Sequence, residues 1–409
     1  MIADTDSRAG VLPEPSPSPT NAPRYFAWLY SPPNAQRLLQ ILLALEAEIR
    51  GVLKPGMEHH VAHVRMEWWR AEIERFARGT PVHPLTRALL AATSTEAERI
   101  AGGASAHPST RGMPEATSAE GDRVASSTPA HPSARAVPKA TSAEGERFSS
   151  DTQTRPSTRR LLEAAKNASV NADAPTSANG TRPTNAQRLP DAQYDAQPAR
   201  AHPPNLSGLV DTAIWDMASA TFGSRAEIAG YCERWAIAMI EPIMDVATVS
   251  ARRRPVNASG SAPPMPAYAR ALGSTIREVE LLCDLEADAL AGRLRLPLDE
   301  LERDDVDPES LAKPPWPAKL CALLTARHRA LRSNLASGVA SVPREDQPAL
   351  RGLLVWAALA YRRSLLAEHA LPQRPELPRF AQLKEVWVAW RAARHASRGA
   401  FELNQESTT

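Results

Sequence analysis

Apolar residues recur along most of the chain at intervals of three and four, the spacing that lines up side chains on one face of an α-helix. From Asn34 to Leu53, the positions Leu38, Leu42, Leu45 and Ile49 form such a stripe, and Pro55-Gly56 closes it. A second helix is predicted from about Glu58 to Arg78, ended by Gly79, and His83-Pro84 opens a third over LTRALLAATSTEAERI. The pattern resumes at Leu206, where LSGLVDTAIWDMASATF reads as helical. Ser224 with Glu227 three residues on forms a capping box for a longer helix, RAEIAGYCERWAIAMIEPIMDVA. Beyond a polar loop, Arg252 to Pro264, another helix carries Ile276, Val279, Leu282 and Cys283 on one face. Lys313–Leu335, Arg344–Leu371 and Arg379–Arg398 predict three more. Strand-type alternation is nearly absent, so the predicted fold class is all-α.

Between these blocks the character changes. His83-Pro84, His107-Pro108, His131-Pro132 and Arg155-Pro156 recur every 24 residues, with an ATS run in step at Ala92, Ala116 and Ala140. The two middle copies hold Pro114 and Pro138 where the first has Leu90, which breaks a helix there. The fourth copy regains Leu161-Leu162 and predicts a short helix, Ser157 to Ala168. So little apolar content cannot stack into a solenoid. Residues 101–205 are therefore expected to be a disordered, repeat-derived insertion inside one helical domain, 23–400, with tails at 1–22 and 401–409.

Composition narrows the partners. A formal charge of +2 over 409 residues gives no electrostatic case for nucleic acid or an anionic membrane. Cys232, Cys283 and Cys321 sit in apolar helical patterns without metal-type spacing, as expected of reduced core residues. The first twenty residues carry no apolar run, so no signal peptide is expected. Gly352 to Tyr361, the longest apolar run, is too short to span a bilayer. These features predict a cytoplasmic protein, with peripheral membrane contact left open.

The chemistry gathers on the helix that ends near Pro297. Glu280, Asp284 and Asp288 follow one another at four-residue spacing and so stack on one face, where they repel by a few tenths of a kcal/mol per pair. Two accounts compete: a solvated face diluted by Arg277 and Arg293, or an Mg²⁺ site, since hard cations take carboxylate oxygens. His59, His63 and Glu67 share a face of the second helix in the same way, as a structural set or as transition-metal ligands. Trp68 and Trp69 are adjacent and cannot share a face, which makes one core and the other an amphipathic wall.

Asp284 and Asp288 followed by Gly292-Arg293-Leu294-Arg295-Leu296-Pro297 resemble the second aspartate-rich motif of the squalene/phytoene synthase family, an Asp-x-x-x-Asp helix with a Gly-Arg-x-Tyr-Leu-Pro turn. The order of helices around Tyr25–Leu53, RMEWWR and His83-Pro84 resembles the family's N-terminal half. The resemblance covers 25–99 and 206–398. It implies an isoprenoid-synthase-like helical bundle around a central cavity, in which prenyl diphosphates condense head to head in isoprenoid biosynthesis with Mg²⁺. Carried over by position, it makes Asp284, Asp288 and Glu280 the metal ligands. Tyr231 and Arg293 become the catalytic candidates, and Trp235 and Met239 line the cavity; alternatively the Tyr231, Trp235 and Met239 stripe is ordinary core.

The chain departs from that pattern in several places. The family's first aspartate-rich motif falls on Arg50, Gly51 and Lys54, and no aspartate lies between Tyr25 and Lys54. Arg50 and Lys54, with Arg277, could hold diphosphate oxygens as fixed cations; alternatively Arg50 and Lys54 simply complement the helix dipole. Arg277 and Glu280 stand where the family has glutamine and asparagine, Arg295 where it has tyrosine, and Ala236-Ile237-Ala238-Met239 where it has a glycine-rich segment. Three readings follow: a prenyltransferase, a helical scaffold with no ligand, or a non-catalytic member that binds an isoprenoid or a partner protein. The family includes such members, resembling a mitochondrial complex I assembly factor without aspartate motifs.

Overall fold

The computed structural model describes residues 22–54, 56–103, 203–249, 265–373 and 381–403. The central part of the expected insertion, 104–202, lies outside the described residues, as do residues 1–21 and most of the polar loop before Met265. Twelve α-helices are found among the described residues, and no strand. In order they are α1 Ala22–Tyr30, α2 Pro33–Arg50, α3 His59–Ala77, α4 Pro84–Gly103, α5 Ser207–Met217 and α6 Arg225–Val249. Then follow α7 Ala267–Cys283, α8 Leu285–Leu290, α9 Leu298–Arg303, α10 Ala318–Ala340, α11 Arg351–Ala370 and α12 Ala381–Ala396. The all-α expectation holds.

The body is arranged around α11. Every residue from Gly352 to Arg362 is buried, because α11 packs against α1, α7, α10 and α12. The apolar run too short for a membrane is thus the central core helix. Gly352 sets how near α1 comes: a Cβ there would lie 2.6 Å from the Ala27 carbonyl oxygen and 2.1 Å from Ser31 Oγ. Gly273 does the same between α7 and α6, where a Cβ would meet Ala236 Cβ and Ile240 Cγ1 at 2.8 Å. Close approach makes this part of α6 solid core, and Trp235, Ala236, Ala238, Met239 and Ile240 have no exposed surface.

In the N-terminal half, Glu72 joins α3 to α4. Its carboxylate is buried and accepts the backbone N–H groups of Val82 and His83 at 3.0 and 2.8 Å, as well as the Thr86 hydroxyl. These are donors at the entry to α4 that the helix itself cannot satisfy. Trp69 is buried and Trp68 exposed, as adjacency required, and the Trp69 ring meets His83 at 4.8 Å.

The helix read as continuous through Asp288 is broken. Asp284 has φ −98° and ψ 14°, so α7 ends at Cys283 and α8 starts at Leu285. Gly292 adopts φ +78° and closes α8: its N–H bonds the Ala289 carbonyl and the Arg293 N–H reaches the Asp288 carbonyl at 2.8 Å. That left-handed turn is what the glycine before Arg293 provides. At the other end of the chain, Gln347 holds the Phe401 backbone through both side-chain amide atoms, and Phe401 and Leu403 are buried. The packed body therefore extends past residue 400.

Gly352→Ala should cost on the order of 1–3 kcal/mol, since the obstructing Ala27 carbonyl is backbone and cannot rotate away. Thermal unfolding followed by circular dichroism checks this. A variant that melts with the wild type would show that α1 can shift outward freely.

Candidate functional site

The facing ends of α1, α2, α5, α6, α7 and α8 bring together five arginines and four carboxylates. Asp216, in the last turn of α5, accepts Arg295 Nη1 at 2.6 Å and Arg50 Nη2 at 2.8 Å. The Tyr231 hydroxyl lies 3.0 Å from the same carboxylate. Asp288 gives one oxygen to Arg293, at 2.6 Å from Nη2, and the other to Arg295 Nε at 2.5 Å. Glu280 is held in a fork by Arg24, at 3.0 and 2.7 Å, and by Arg277 at 3.0 Å. Glu46 accepts Arg24 Nη1 at 2.6 Å and the Trp235 indole N–H at 2.9 Å. These are charge-assisted bonds in a dry setting, where removing one partner costs more than the pair contributes.

The electrostatics follow from those partners. Burial alone would raise the carboxyl of Glu280, but the Arg24 guanidinium, with Arg277 behind it, holds it down to about 2. Burial likewise opposes ionisation of Asp216 and Glu46. Arg50 and Arg295 keep the first, and Arg24, Arg277 and Arg50 the second, below the usual carboxylate range. Asp284 behaves in the opposite way. Its side chain reaches solvent at the helix break and makes no ion pair with a described residue, and its carboxyl is raised by partial desolvation and then by Asp288 and Glu280.

Beside the network lies a cavity of about 210 Å³. Its charged wall consists of Arg24, Arg50, Arg277 and Arg363 against Glu280 and Asp284. Val279, Cys283, Trp356 and Ala360 supply apolar surface. Burial pushes the Cys283 thiol up to about 12, so it is a neutral wall rather than a nucleophile. Two lining residues carry buried N–H groups with no protein acceptor, Arg277 Nε and Trp356 Nε1.

The residues picked out by sequence are distributed as follows. Glu280, Asp288, Arg50, Arg277, Arg293 and Tyr231 join the network, and Asp284 stands at the cavity edge. Lys54 is exposed, one residue past a 3₁₀ turn, away from the cavity wall. Trp235 and Met239 are core; the tryptophan on the wall is Trp356, whose ring meets Trp235 edge-on at 5.8 Å. His59 and His63 lie 3.0 Å apart on the exposed face of α3, while Glu67 pairs with Arg70. Arg24, Glu46, Asp216 and Arg295 were not selected by sequence as site residues. Glu46 and Asp216 left a trace there, as acidic residues inside otherwise apolar helical stripes; Arg24 left none.

The donor set does not suit Mg²⁺. A hard cation needs carboxylate oxygens free of other partners, usually shared with water and phosphate. Both oxygens of Asp288 and of Glu280 are occupied by guanidinium groups, and Asp284 stands alone. No three acidic, histidine or cysteine side chains converge as a metal site among the described residues.

Two outcomes follow. Asp284→Asn should leave stability within about 0.5 kcal/mol of wild type, as for other surface changes. Asp216→Asn should cost on the order of 3–5 kcal/mol, because Arg295 loses a partner at a side-chain exposure of 1%. Urea titration separates the two, and comparable effects would refute the network as drawn. Second, because Glu280 ionises more easily folded than unfolded, its contribution is present above its ordinary value of 4.5 and lost as pH falls towards about 2. Glu280→Gln should therefore be less stable at neutral pH, with the difference from wild type closing over that window. A constant difference would remove the assigned cause.

No curated protein and no solved structure matches this chain. The family model described as squalene/phytoene synthase matches residues 147–381, more than half of the chain, and takes in α5 to α11 with the network residues Asp216, Tyr231, Arg277, Glu280, Asp288, Arg293 and Arg295. That family's characteristic chemistry is prenyl transfer in isoprenoid biosynthesis, with prenyl diphosphates as substrates. With its all-helical body, the chain belongs to the squalene/phytoene synthase family.

Proposed function

We propose that this chain is a binding member of the family rather than a metal-assisted prenyltransferase. On this reading it holds the anionic head of an isoprenoid or related ligand without Mg²⁺. The observation that carries the proposal is the pairing of Asp288 and Glu280 with arginines, where the family would place a metal and diphosphate. A guanidinium offers five donors, so Arg24, Arg50 and Arg277 retain capacity for an anion after their ion pairs are made. The unpaired N–H groups of Arg277 and Trp356 support an acceptor-bearing ligand.

Cavity size supports the same reading. About 210 Å³ is below the ~300–1,000 Å³ typical of a drug-sized ligand site, and two prenyl chains need more room still. Trp235, Ala236, Ala238 and Met239 fill the level where the family's glycines leave space. A small diphosphate or a singly anionic head suits this volume.

Prenyl transfer is the second reading, favoured by the preserved Asp284/Asp288 spacing and by the turn that carries Arg293. Incubation with farnesyl or geranylgeranyl diphosphate plus Mg²⁺, followed by lipid analysis, separates the two. The binding reading expects no condensed hydrocarbon product; an Mg²⁺-dependent product would overturn it. Calorimetric titration with inorganic pyrophosphate should show binding in EDTA that Mg²⁺ does not strengthen. Arg50→Gln should weaken binding about ten-fold or more, the scale of a lost charge-assisted hydrogen bond, and Lys54→Gln should leave it unchanged. Binding that needs Mg²⁺, or that responds to both substitutions alike, would count against the arginine site.

A further inference from the structure

Helix α12 is built inside out. Its inward side chains are small: Ala389, Ala392, Ala393 and Ala396 are buried with Val388, which lets α12 lie close to α11 and α1. Its large apolar side chains point the other way. Leu383 is 68% exposed, Trp387 47%, Trp390 46% and Val386 44%. Leu383, Trp387, Trp390 and Arg394 follow at spacings of four, three and four, so they share one stripe along the helix. A helix that served only to cover this core would turn its tryptophans inward.

The charges on this face have one sign. Lys384, Arg394 and Arg398 are exposed and Arg391 half-buried, whereas the only acid of the helix, Glu385, is buried against Arg363 at 3.1 Å. Two of the cations lie over the tryptophans themselves. The Arg391 guanidinium is 5.2 Å from the Trp387 ring centre, and that of Arg394 is 5.3 Å from Trp390. Each pair sets an apolar ring and a phosphate-binding cation side by side.

We propose that the outer face of α12 docks onto an anionic lipid bilayer. The helix lies flat in the interface, with Trp387, Trp390 and Leu383 at the boundary of headgroups and acyl chains. Arg391, Arg394 and Arg398 meet lipid phosphates. Tryptophan favours that depth because its ring is apolar and its N–H needs a polar partner; arginine favours it because its stem is apolar and its head is charged. The contact is peripheral, since no helix among the described residues is long and apolar enough to cross a membrane. Uniform positive charge selects an anionic membrane over a neutral one and opposes pairing with a second copy of the same face.

Co-sedimentation of the full chain with vesicles tests this. Binding should be firm to phosphatidylcholine vesicles rich in phosphatidylglycerol and weak to phosphatidylcholine alone. W387A/W390A should lose at least about ten-fold in partitioning to either vesicle, from the apolar area removed. R391Q/R394Q should lose roughly 25-fold on anionic vesicles and little on neutral ones, at about five-fold per surface charge. These side chains lie outside the buried core, so circular dichroism should match wild type for both variants. Absence of vesicle binding by the wild type, or equal binding by the variants, would overturn the proposal. So would a vesicle-free particle mass that is dimeric in the wild type and halves in W387A/W390A, which would make the face a self-association surface.

Discussion

Arg295 cannot be buried alone. Its side chain is about as enclosed as any in the molecule, and a bare guanidinium there would cost several kcal/mol. Two carboxylates meet most of that demand, through Nε and Nη1, while Nη2 has no partner among the described residues. Asp216 comes from α5, Asp288 from α8, and the turn at Gly292 brings Arg293 back to share Asp288. Asp216 then needs Arg50 and the Tyr231 hydroxyl, which ties α2 and α6 to the same point. A parallel chain runs from Arg24 through Glu46 and Glu280 to Arg277. Six helices are thus registered by charge pairing as well as by apolar packing.

That constraint also sets what the site can do. A carboxylate whose oxygens are both held by arginine is a poor ligand for a hard cation, and an arginine with donors to spare is a good one for an anion. By the sequence resemblance, Arg50 falls at the family's first aspartate motif and Arg295 at its tyrosine. The result is a site whose positive charge is covalently built in.

Helix positions were legible in the sequence because they follow from apolar spacing, and α2, α3, α6 and α7 lie close to where the stripes put them. Their ends were less legible. α10 and α11 begin five and seven residues later than read, because Pro317 and the turn 343–350 set the starts through local geometry. The break at Asp284 left no sequence mark either, since no glycine or proline stands there. At the site, the aspartate spacing named the right helix, but the repulsion expected between Glu280, Asp284 and Asp288 is answered by cations from elsewhere in the chain. Arg24 lies 256 residues from Glu280, and nothing local in either segment announces the partner. Lys54 shows the reverse: it looked equivalent to Arg50 by position, but the 3₁₀ turn after α2 carries it outward.

The central claim is that guanidinium groups occupy the place of the metal. Mn²⁺ is a spectroscopic stand-in for Mg²⁺, and its free ion gives a sharp electron paramagnetic signal that binding removes. Titrating Mn²⁺ into the protein with inorganic pyrophosphate should leave at least as much free-ion signal as pyrophosphate alone, in wild type and Asp288→Asn alike. A stoichiometric loss of free Mn²⁺ in the wild type that Asp288→Asn abolishes would contradict the account and return the site to metal chemistry.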